Sequence, residues 1–300
     1  LGYRIGKLFR LDEKDLHLIT MCGMSACFSA LFGTPLTATL FVMEVVTVGV
    51  MYYAALVPCT VASVVAAAVA GNFGLKPTSF SVAGTPAPGL LPFLRVAFLA
   101  ALCAAVSILF CFVMRLSGRL YRKYLPNQYA RAAAGGVLIA LLALIFGRGY
   151  LGMGSAGLAA SFRGASRPEA FALKLLFTAL TLGAGFKGGE IIPAFFTGAA
   201  FGCTAGGLLG LSPSFGASVG LTAVFCGVTN CPLAALTLSA EVFGGPGILY
   251  YLLAAGVSYT LSGYSGIYKR QKILYAKDKP VFLGNTGNRR SSAEDGNDRN

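Results

Sequence analysis

The 300-residue sequence has no tryptophan, one histidine and few charged residues. Only 12% of its residues are Asp, Glu, Lys or Arg, whereas 56% are hydrophobic, and the mean hydropathy is +0.71. So apolar a composition excludes a soluble domain of this size. Residues 191–268 carry one formal charge, Glu241, and residues 18–94 carry two, Glu44 and Lys76. Stretches of this length accommodate several membrane spans of about 20 residues each.

Several catalytic and metal-binding patterns are also absent. The eight cysteines show no CxxC spacing, so neither a zinc site nor a disulfide framework is indicated. The single histidine, His17, follows charged residues and is most simply a surface residue. The sequence has no HExxH, GxSxG or GxxxxGK[ST] motif. We therefore predict no enzyme, no metal and no cofactor.

The net charge of +13 has a distribution typical of membrane proteins. Arg and Lys lie mainly between apolar runs, for example within 115–131, and towards the C-terminal end. The positive-inside rule accounts for this placement, so we expect these segments on the cytoplasmic side and no nucleic-acid partner.

The apolar segments indicate a chain of helices of unequal length. They run approximately over 19–30, 33–50, 52–70, 94–114, 132–147, 170–185, 191–210, 214–228, 232–243 and 248–265. Segments of about a dozen residues bounded by Gly and Pro are typical of half-helices and re-entrant pieces, which are tolerated at membrane depth where they line a cavity. The sequence predicts an all-α polytopic membrane protein with broken and re-entrant helices.

An internal repeat relates two of these regions. Segment 23–45 aligns without a gap to segment 220–242, and eight of the 23 positions are identical. Each copy contains a proline followed nine residues later by a lone glutamate: Pro35 and Glu44, then Pro232 and Glu241. Such internal symmetry is typical of transporters built from inverted repeats.

The repeat predicts a division of the chain. We expect 1–70 to be the remainder of a first repeat half, 71–93 an extramembrane loop, 94–275 transmembrane helices that include the second half, and 276–300 a disordered tail. Subtracting the repeat offset of 197 from the glycine motif at 188–193 places its counterpart upstream of Leu1. We therefore expect the N-terminal part of the first half to be missing.

The glycine motif Gly188-Gly-Glu-Ile-Ile-Pro193 leads into an apolar helix with proline in its first turn. Glycine lets a backbone approach a ligand closely, and the first N–H groups of a helix lack intrahelical acceptors, so this N-terminus can hold an anion. The alternative is an ordinary interhelical loop. Thr34-Pro35 and Cys231-Pro232 start helices in the same way, and either direct two more N-termini at an anion or only end loops.

Three other patterns concern packing and protons. Gly198, Gly202, Gly206 and Gly210 recur every fourth residue and predict close helix packing. Ionised side chains are costly in a membrane, so Glu44 and Glu241 are protonated, paired or functional. Because both end their half-helices at equivalent positions, we predict a structural role for them, such as hydrogen bonding to a neighbouring helix. Glu190 lies inside the candidate anion loop and is a candidate proton carrier, with a structural carboxylate as the alternative.

These motifs resemble the CLC family of chloride channels and anion/proton antiporters over nearly the whole chain. Phe32 to Glu44 is similar to the family's Asn-Ala-Pro-Leu-Ala-Gly-Ile-Leu-Phe-type helix. Gly188 to Pro193 occupies the place of its Gly-Gly-x-Phe-x-Pro anion motif, and Ser265-Gly-Ile-Tyr268 that of its anion-coordinating tyrosine. The three landmarks occur in the family's order.

The resemblance implies a homodimer in the lipid bilayer, in which each subunit is built from two antiparallel halves around its own anion pathway.

 The anion-binding set implied by the resemblance would be Gly188, Gly189, Ile191, Ile192, Pro193 and the hydroxyl of Tyr268. The transported ions would be a halide, chloride or fluoride, and protons coupled through Glu190. The organisation fits a prokaryotic inner membrane.

Departures from the family pattern leave the activity open. Ile191 replaces the usual Phe, and Glu190 stands inside the motif as in the fluoride/proton antiporter branch. Val45 occupies the position where many chloride/proton exchangers carry an inner proton-transfer glutamate. The main expectation is proton-coupled fluoride or chloride antiport. The alternatives are a passive chloride channel and a membrane scaffold that transports nothing.

Overall fold

A computed structural model describes residues 2–268, 271–275, 277 and 282. Twelve α-helices make up most of this part of the chain. They are α1 (Gly2–Leu8), α2 (Glu13–Phe32), α3 (Pro35–Val45), α4 (Leu56–Asn72), α5 (Leu90–Tyr124), α6 (Gln128–Phe146), α7 (Ser155–Phe162), α8 (Ala170–Gly183), α9 (Ile191–Leu208), α10 (Pro213–Thr229), α11 (Pro232–Phe243) and α12 (Ile248–Leu261). Two short 3₁₀ turns, Tyr53–Ala55 and Arg148–Tyr150, complete the helical structure.

The only strands among the described residues are β1 (Thr47–Val48) and β2 (Lys272–Ile273), which pair in parallel. The expectation of an all-α membrane protein is confirmed. Five helical stretches are long and apolar enough to cross a bilayer: Glu13–Phe32, Tyr53–Asn72, Leu90–Tyr124, Gln128–Phe146 and Ile191–Leu208. The other apolar helices are shorter, as predicted for half-helices.

The chain divides into two compact units, each formed from separate parts of the sequence. Unit 1 contains the described residues of Leu1–Ser79, Asn230–Gly244 and Tyr268–Asn300. Unit 2 contains Phe80–Thr229 and Gly245–Ile267. The second-half helix α11 therefore belongs to the same unit as the first-half helices α2 to α4. The four-part division expected from the sequence stays a prediction, and most of its segment 276–300 lies outside the described residues.

In unit 1, hydroxyl groups tie α2 to α4. The Ser25 hydroxyl donates to the carbonyl of Cys59 at 3.1 Å, and the Ser29 hydroxyl donates to that of Ser63 at 2.7 Å. All four residues are buried. Because each hydroxyl is satisfied by a backbone carbonyl, the two helices approach without leaving a polar group unpaired in the apolar interior.

In unit 2, α9 and α10 pack through glycine. A Cβ added at Gly198 would lie 2.5 Å from the carbonyl oxygen of Gly220, and Gly202 and Gly206 face Gly216 in the same way. The close packing predicted for the fourfold glycine spacing is confirmed at these three positions of α9. Gly210 is different. It follows the end of α9 with φ +74°, and its carbonyl accepts a hydrogen bond from Arg95.

The helix boundaries differ from the predicted segments at several points. Helix α2 begins at Glu13 instead of 19, and the segment predicted over 33–50 ends as a helix at Val45. The short helices α1 and α7 were not predicted, because neither is long enough to show an apolar period. Helix α5 continues ten residues beyond the predicted end at 114, through Arg115 and Arg122. Arg and Lys are good helix formers, so a basic cluster at the end of an apolar run extends the helix instead of ending it.

Candidate functional site

The repeat is visible in the backbone where each half-helix begins. Gly33 and Asn230 stand at equivalent positions and both are left-handed, with φ of 70° and 60°. The next residues, Thr34 and Cys231, have nearly identical conformations, with φ/ψ of −122°/77° and −121°/80°. Each is followed by a proline in the first helical turn. The same sharp break therefore precedes α3 and α11, as the sequence repeat predicted.

The two repeat glutamates cap each other's helices within unit 1. The carboxylate of Glu241, on α11, accepts from the N–H groups of Leu36 and Thr37 at 2.9 and 2.8 Å. The carboxylate of Glu44, on α3, accepts from those of Leu233 and Ala234 at 3.2 and 3.0 Å. These amides are the donors that a helix leaves unsatisfied at its N-terminus. The predicted structural role of Glu44 and Glu241 is confirmed.

This reciprocal capping corrects one hypothesis from the sequence. The N-termini of α3 and α11 are not open anion sites, because a carboxylate already occupies the amides at each of them. A negative side chain at this position also interacts favourably with the helix dipole. The anion-binding capacity of these two helix ends is therefore used inside the protein.

The N-terminus of α9, in unit 2, is different. The first backbone bond of the helix runs from the N–H of Ala194 to the carbonyl of Glu190, and Pro193 has no N–H. Within the described residues, the N–H groups of Ile191 and Ile192 donate to no protein acceptor. Ile191 and Ile192 are partly exposed. Two adjacent amides at the positive end of a helix are thus available to an anion.

The loop before α9 is shaped by glycine. Gly185 has φ +99°, and its neighbour Ala184 accepts a hydrogen bond from the guanidinium of Arg131 at 3.3 Å. Gly188 and Gly189 are exposed, and a Cβ built on Gly189 would meet nothing within 4 Å. Glycine at 189 is therefore not required by packing against the protein. Its backbone remains accessible to a ligand.

Glu190 is the N-cap residue of α9. Its φ/ψ of −100°/−20° is helical, its side chain does not cap the helix, and it is partly exposed. The carboxylate therefore does not take the amides of Ile191 and Ile192, in contrast to the glutamates that cap α3 and α11. Glu190, which lies inside the motif in the sequence, is thus the residue directly before the first turn of α9 in the structure.

Tyr268 belongs to unit 1, whereas Gly188, Gly189, Ile191, Ile192 and Pro193 belong to unit 2. Tyr268 is half-buried, and its ring centroid lies 6.5 Å from that of Phe41 on α3. Its carbonyl accepts from the N–H of Gln271 at 3.1 Å. The predicted role of these six residues in holding an anion stays a prediction.

Sequence reasoning missed Lys174. Its side chain is 1% exposed, and the ammonium donates to the carbonyls of Gly152 and Tyr150 at 2.6 and 3.1 Å. The same nitrogen lies 5.5 Å from the centre of the Phe196 ring on α9. Lys174 therefore fastens the turn after α6 to helices α8 and α9. The sequence feature that could have indicated this role is that Lys174 is the single charged residue of the apolar helix α8.

Half-helices that begin at prolines, a backbone repeat and apolar spans together define a polytopic membrane protein with broken helices. The family model "Voltage gated chloride channel" matches residues 1–263. The chain belongs to this family, the CLC family, and is a membrane protein. The resemblance stated from the three sequence landmarks is confirmed.

Two relatives illustrate the range of names within the family. The chain is 34% identical over 284 residues to the "Chloride/fluoride channel protein" of Pseudomonas syringae pv. tomato, covering 92% of this chain and 63% of that protein. It is 26% identical over 268 residues to the "Voltage-gated ClC-type chloride channel ClcB" of Escherichia coli, covering 82% and 62%. The chain thus spans under two thirds of the length of either relative.

Solved structures share the fold. A CLC-type fluoride/proton antiporter superimposes with a TM-score of 0.86 at 30% identity, over 90% of this chain and 69% of that one. A slow cyanobacterial Cl⁻/H⁺ antiporter superimposes with a TM-score of 0.70 at 18% identity, over 87% and 64%. The second likeness concerns the fold alone.

Proposed function

We propose that the protein moves a halide across the membrane in exchange for protons, with fluoride as the preferred ion. The observation that carries this proposal is a pair of adjacent amides, those of Ile191 and Ile192, that donate to no acceptor in the described part of the chain and follow a glycine whose backbone is accessible. Such donors bind an anion through partial charges, so the anion is held without a full countercharge and is able to leave.

The anion-binding residues proposed are Gly188, Gly189, Ile191 and Ile192 through their backbone N–H groups, Pro193 as the next residue of the same helix turn, and Tyr268 through its hydroxyl. Small anions of high charge density gain most from N–H and O–H donors, because these replace the hydration shell lost on binding. The aliphatic Ile191 and Ile192 add no further polar group. The proposed site therefore discriminates between anions by the strength of the hydrogen bonds that each anion accepts.

Glu190 is the proposed proton carrier. It stands at the N-cap of α9, directly before the two open amides, and is accessible enough to exchange a proton with water. A carboxylate next to an anion site is repelled by the bound anion, which favours its protonated form. This interaction would couple proton uptake to anion binding.

We also propose that the protein works as a homodimer.

The likeness to known proteins supports this choice. The fluoride/proton antiporter has 30% identity and a TM-score of 0.86 with this chain, and the Pseudomonas relative is named for both chloride and fluoride. A passive chloride channel is the second candidate. It is favoured by Val45, which replaces an inner glutamate of many exchangers, and by the name of the Escherichia relative.

Reconstitution separates the two candidates. The complete gene product in liposomes loaded with fluoride or chloride would be followed by an anion electrode and by an internal pH dye. We expect fluoride efflux to exceed chloride efflux and to drive protons in the opposite sense. Chloride efflux that leaves internal pH unchanged, and does not respond to an imposed pH gradient, would establish the passive channel instead.

The Glu190→Gln variant tests the proton carrier directly. We expect anion flux without coupled proton movement, or loss of both, because an amide cannot carry the proton. Glu169→Gln is the matched control, since Glu169 is an exposed loop glutamate of the same unit. Proton coupling that survives in Glu190→Gln would reject the assignment of Glu190 and leave anion binding at α9 untouched.

A further inference from the structure

We infer that Gln271 is a positioning residue for Tyr268. Its side-chain hydrogen bonds fix the place of the tyrosine along helix α3. The inference rests on the proposed function, in which the Tyr268 hydroxyl contacts the anion. Gln271 is 8% exposed although it carries a primary amide, and it lies three residues after Tyr268. Buried amides of this kind are retained where both of their polar ends are satisfied.

Both ends of the Gln271 amide are engaged. Its Nε2 donates to the carbonyl of Val45 at 3.0 Å, and its Oε1 accepts from Nδ2 of Asn230 at 3.0 Å. Val45 is the last residue of α3, and Asn230 immediately precedes the break before α11. The amide thus connects the end of one repeat half-helix to the start of the other, and both connections lie within unit 1.

The backbone carries this anchoring to Tyr268. The N–H of Gln271 donates to the carbonyl of Tyr268 at 3.1 Å, so a backbone hydrogen bond joins the two residues. The Tyr268 ring lies beside Phe41, four residues before Val45 and therefore one helical turn earlier on the same face of α3. Tyrosine and glutamine thus contact α3 at two points separated by one turn, which fixes the tyrosine along the helix.

The neighbouring contacts reinforce this register. Directly after Gln271, β2 pairs with β1, so that Lys272 lies opposite Thr47. Asn230 is held in turn by Lys277, whose ammonium donates to its Oδ1 at 2.5 Å. The left-handed backbone of Asn230 is the repeat equivalent of Gly33, and asparagine tolerates that conformation while also providing a side-chain donor. The second half therefore uses its asparagine for a contact that glycine cannot make.

The test is a double-mutant cycle between Gln271→Met and Tyr268→Phe. Methionine keeps the length of the side chain but removes both hydrogen bonds, and Gln128→Met, on an exposed glutamine of α6, is the matched control. Fluoride and chloride dissociation constants would be measured by calorimetry on the complete gene product, with thermal unfolding in parallel. The ratio of the two constants is the decisive value, because a general loss of stability does not change selectivity.

We expect Tyr268→Phe to change the ratio about tenfold, as for one hydrogen bond to an ion. Gln271→Met should change it about three- to tenfold in the same direction, and less than twofold further in the Tyr268→Phe background. Gln128→Met should change nothing. If the two effects simply multiply, or if Gln271→Met lowers stability at a constant ratio, the inference is overturned.

The outcomes also separate this inference from the proposed function. If Tyr268→Phe leaves both dissociation constants unchanged, the anion role of Tyr268 fails and the inference fails with it. If Tyr268→Phe changes the ratio and Gln271→Met does not, only the inference fails. Should Gln271→Met not fold, Asn230→Asp replaces it in the cycle, because it removes the donor to Gln271 while keeping the size of the side chain, and the same criteria apply.

Discussion

Thr37 and Ala234 occupy equivalent positions in the two repeat halves, but only Thr37 supplies a hydroxyl to the carboxylate that caps its helix. The Thr37 hydroxyl donates to Glu241 at 2.6 Å, in addition to the backbone N–H of the same residue. Ala234 donates to Glu44 through its backbone alone. The reciprocal capping is therefore symmetric in the backbone and unequal in the side chains.

This inequality predicts the effect of removing the Thr37 hydroxyl. Thr37→Val should lower the free energy of unfolding by about 1.5 to 3 kcal/mol, the range for a hydrogen bond to a charged group. Thr37→Ser keeps the hydroxyl and is the control. The measurement is thermal or denaturant unfolding in detergent. Equal losses in the valine and serine variants would show that the hydroxyl contributes nothing.

Removing either capping carboxylate should lower the free energy of unfolding, and the two losses should differ. Glu44→Ala and Glu241→Ala each leave two helix amides unpaired, at a cost on the order of 3 kcal/mol. Glu241→Ala should cost more, because it also leaves the Thr37 hydroxyl without its acceptor. In a comparison of unfolding midpoints, a larger loss for Glu44→Ala would contradict this order.

The glycine contact between α9 and α10 predicts opposite results at two helical glycines. Gly198→Ala should destabilise by about 1 to 3 kcal/mol, because its Cβ would meet the backbone of Gly220. Gly256→Ala, in α12, meets nothing within 4 Å and should stabilise by about 0.4 to 1 kcal/mol through the unfolded state. Unfolding measurements that show the same sign for both would refute the packing argument.

Lys174 should hold the turn that follows α6. Lys174→Met retains the apolar stem but leaves the carbonyls of Gly152 and Tyr150 without their donor, at about 1 to 3 kcal/mol. We expect faster proteolysis within residues 147–154 and a lower unfolding midpoint. Lys187→Met, in the exposed loop before α9, is the control. If protease cleaves the turn at the same rate in Lys174→Met as in the unmodified protein, Lys174 does not hold the turn.

Several helix starts could be predicted from the sequence because local chemistry determines them. Pro35 and Pro232 fix the first turns of α3 and α11, and the glycine motif marks the start of α9. The break before α11 was predicted although Asn230 replaces the glycine found at position 33. Here a left-handed backbone, rather than a particular residue, is what the two halves share.

The partners of the buried polar groups could not be predicted in the same way. A lone glutamate on an apolar helix indicates that some partner exists, but nothing local tells which amides it binds. Glu44 finds its donors 189 and 190 residues away. The carbonyl partners of Lys174 are likewise a product of tertiary packing. Gly210 fitted the helix period of its predecessors, yet it forms the turn that ends α9.

The separation between Glu44 and its amides has a consequence for how the protein is made. A ribosome adding about 5 to 20 residues per second needs about 10 to 40 seconds to travel from Glu44 to Ala234. During that interval α3 has emerged, while neither its own N-terminal cap nor the helix that Glu44 caps exists. Biogenesis therefore includes a period in which the nascent first half depends on water, lipid headgroups or the insertion machinery to accommodate this carboxylate.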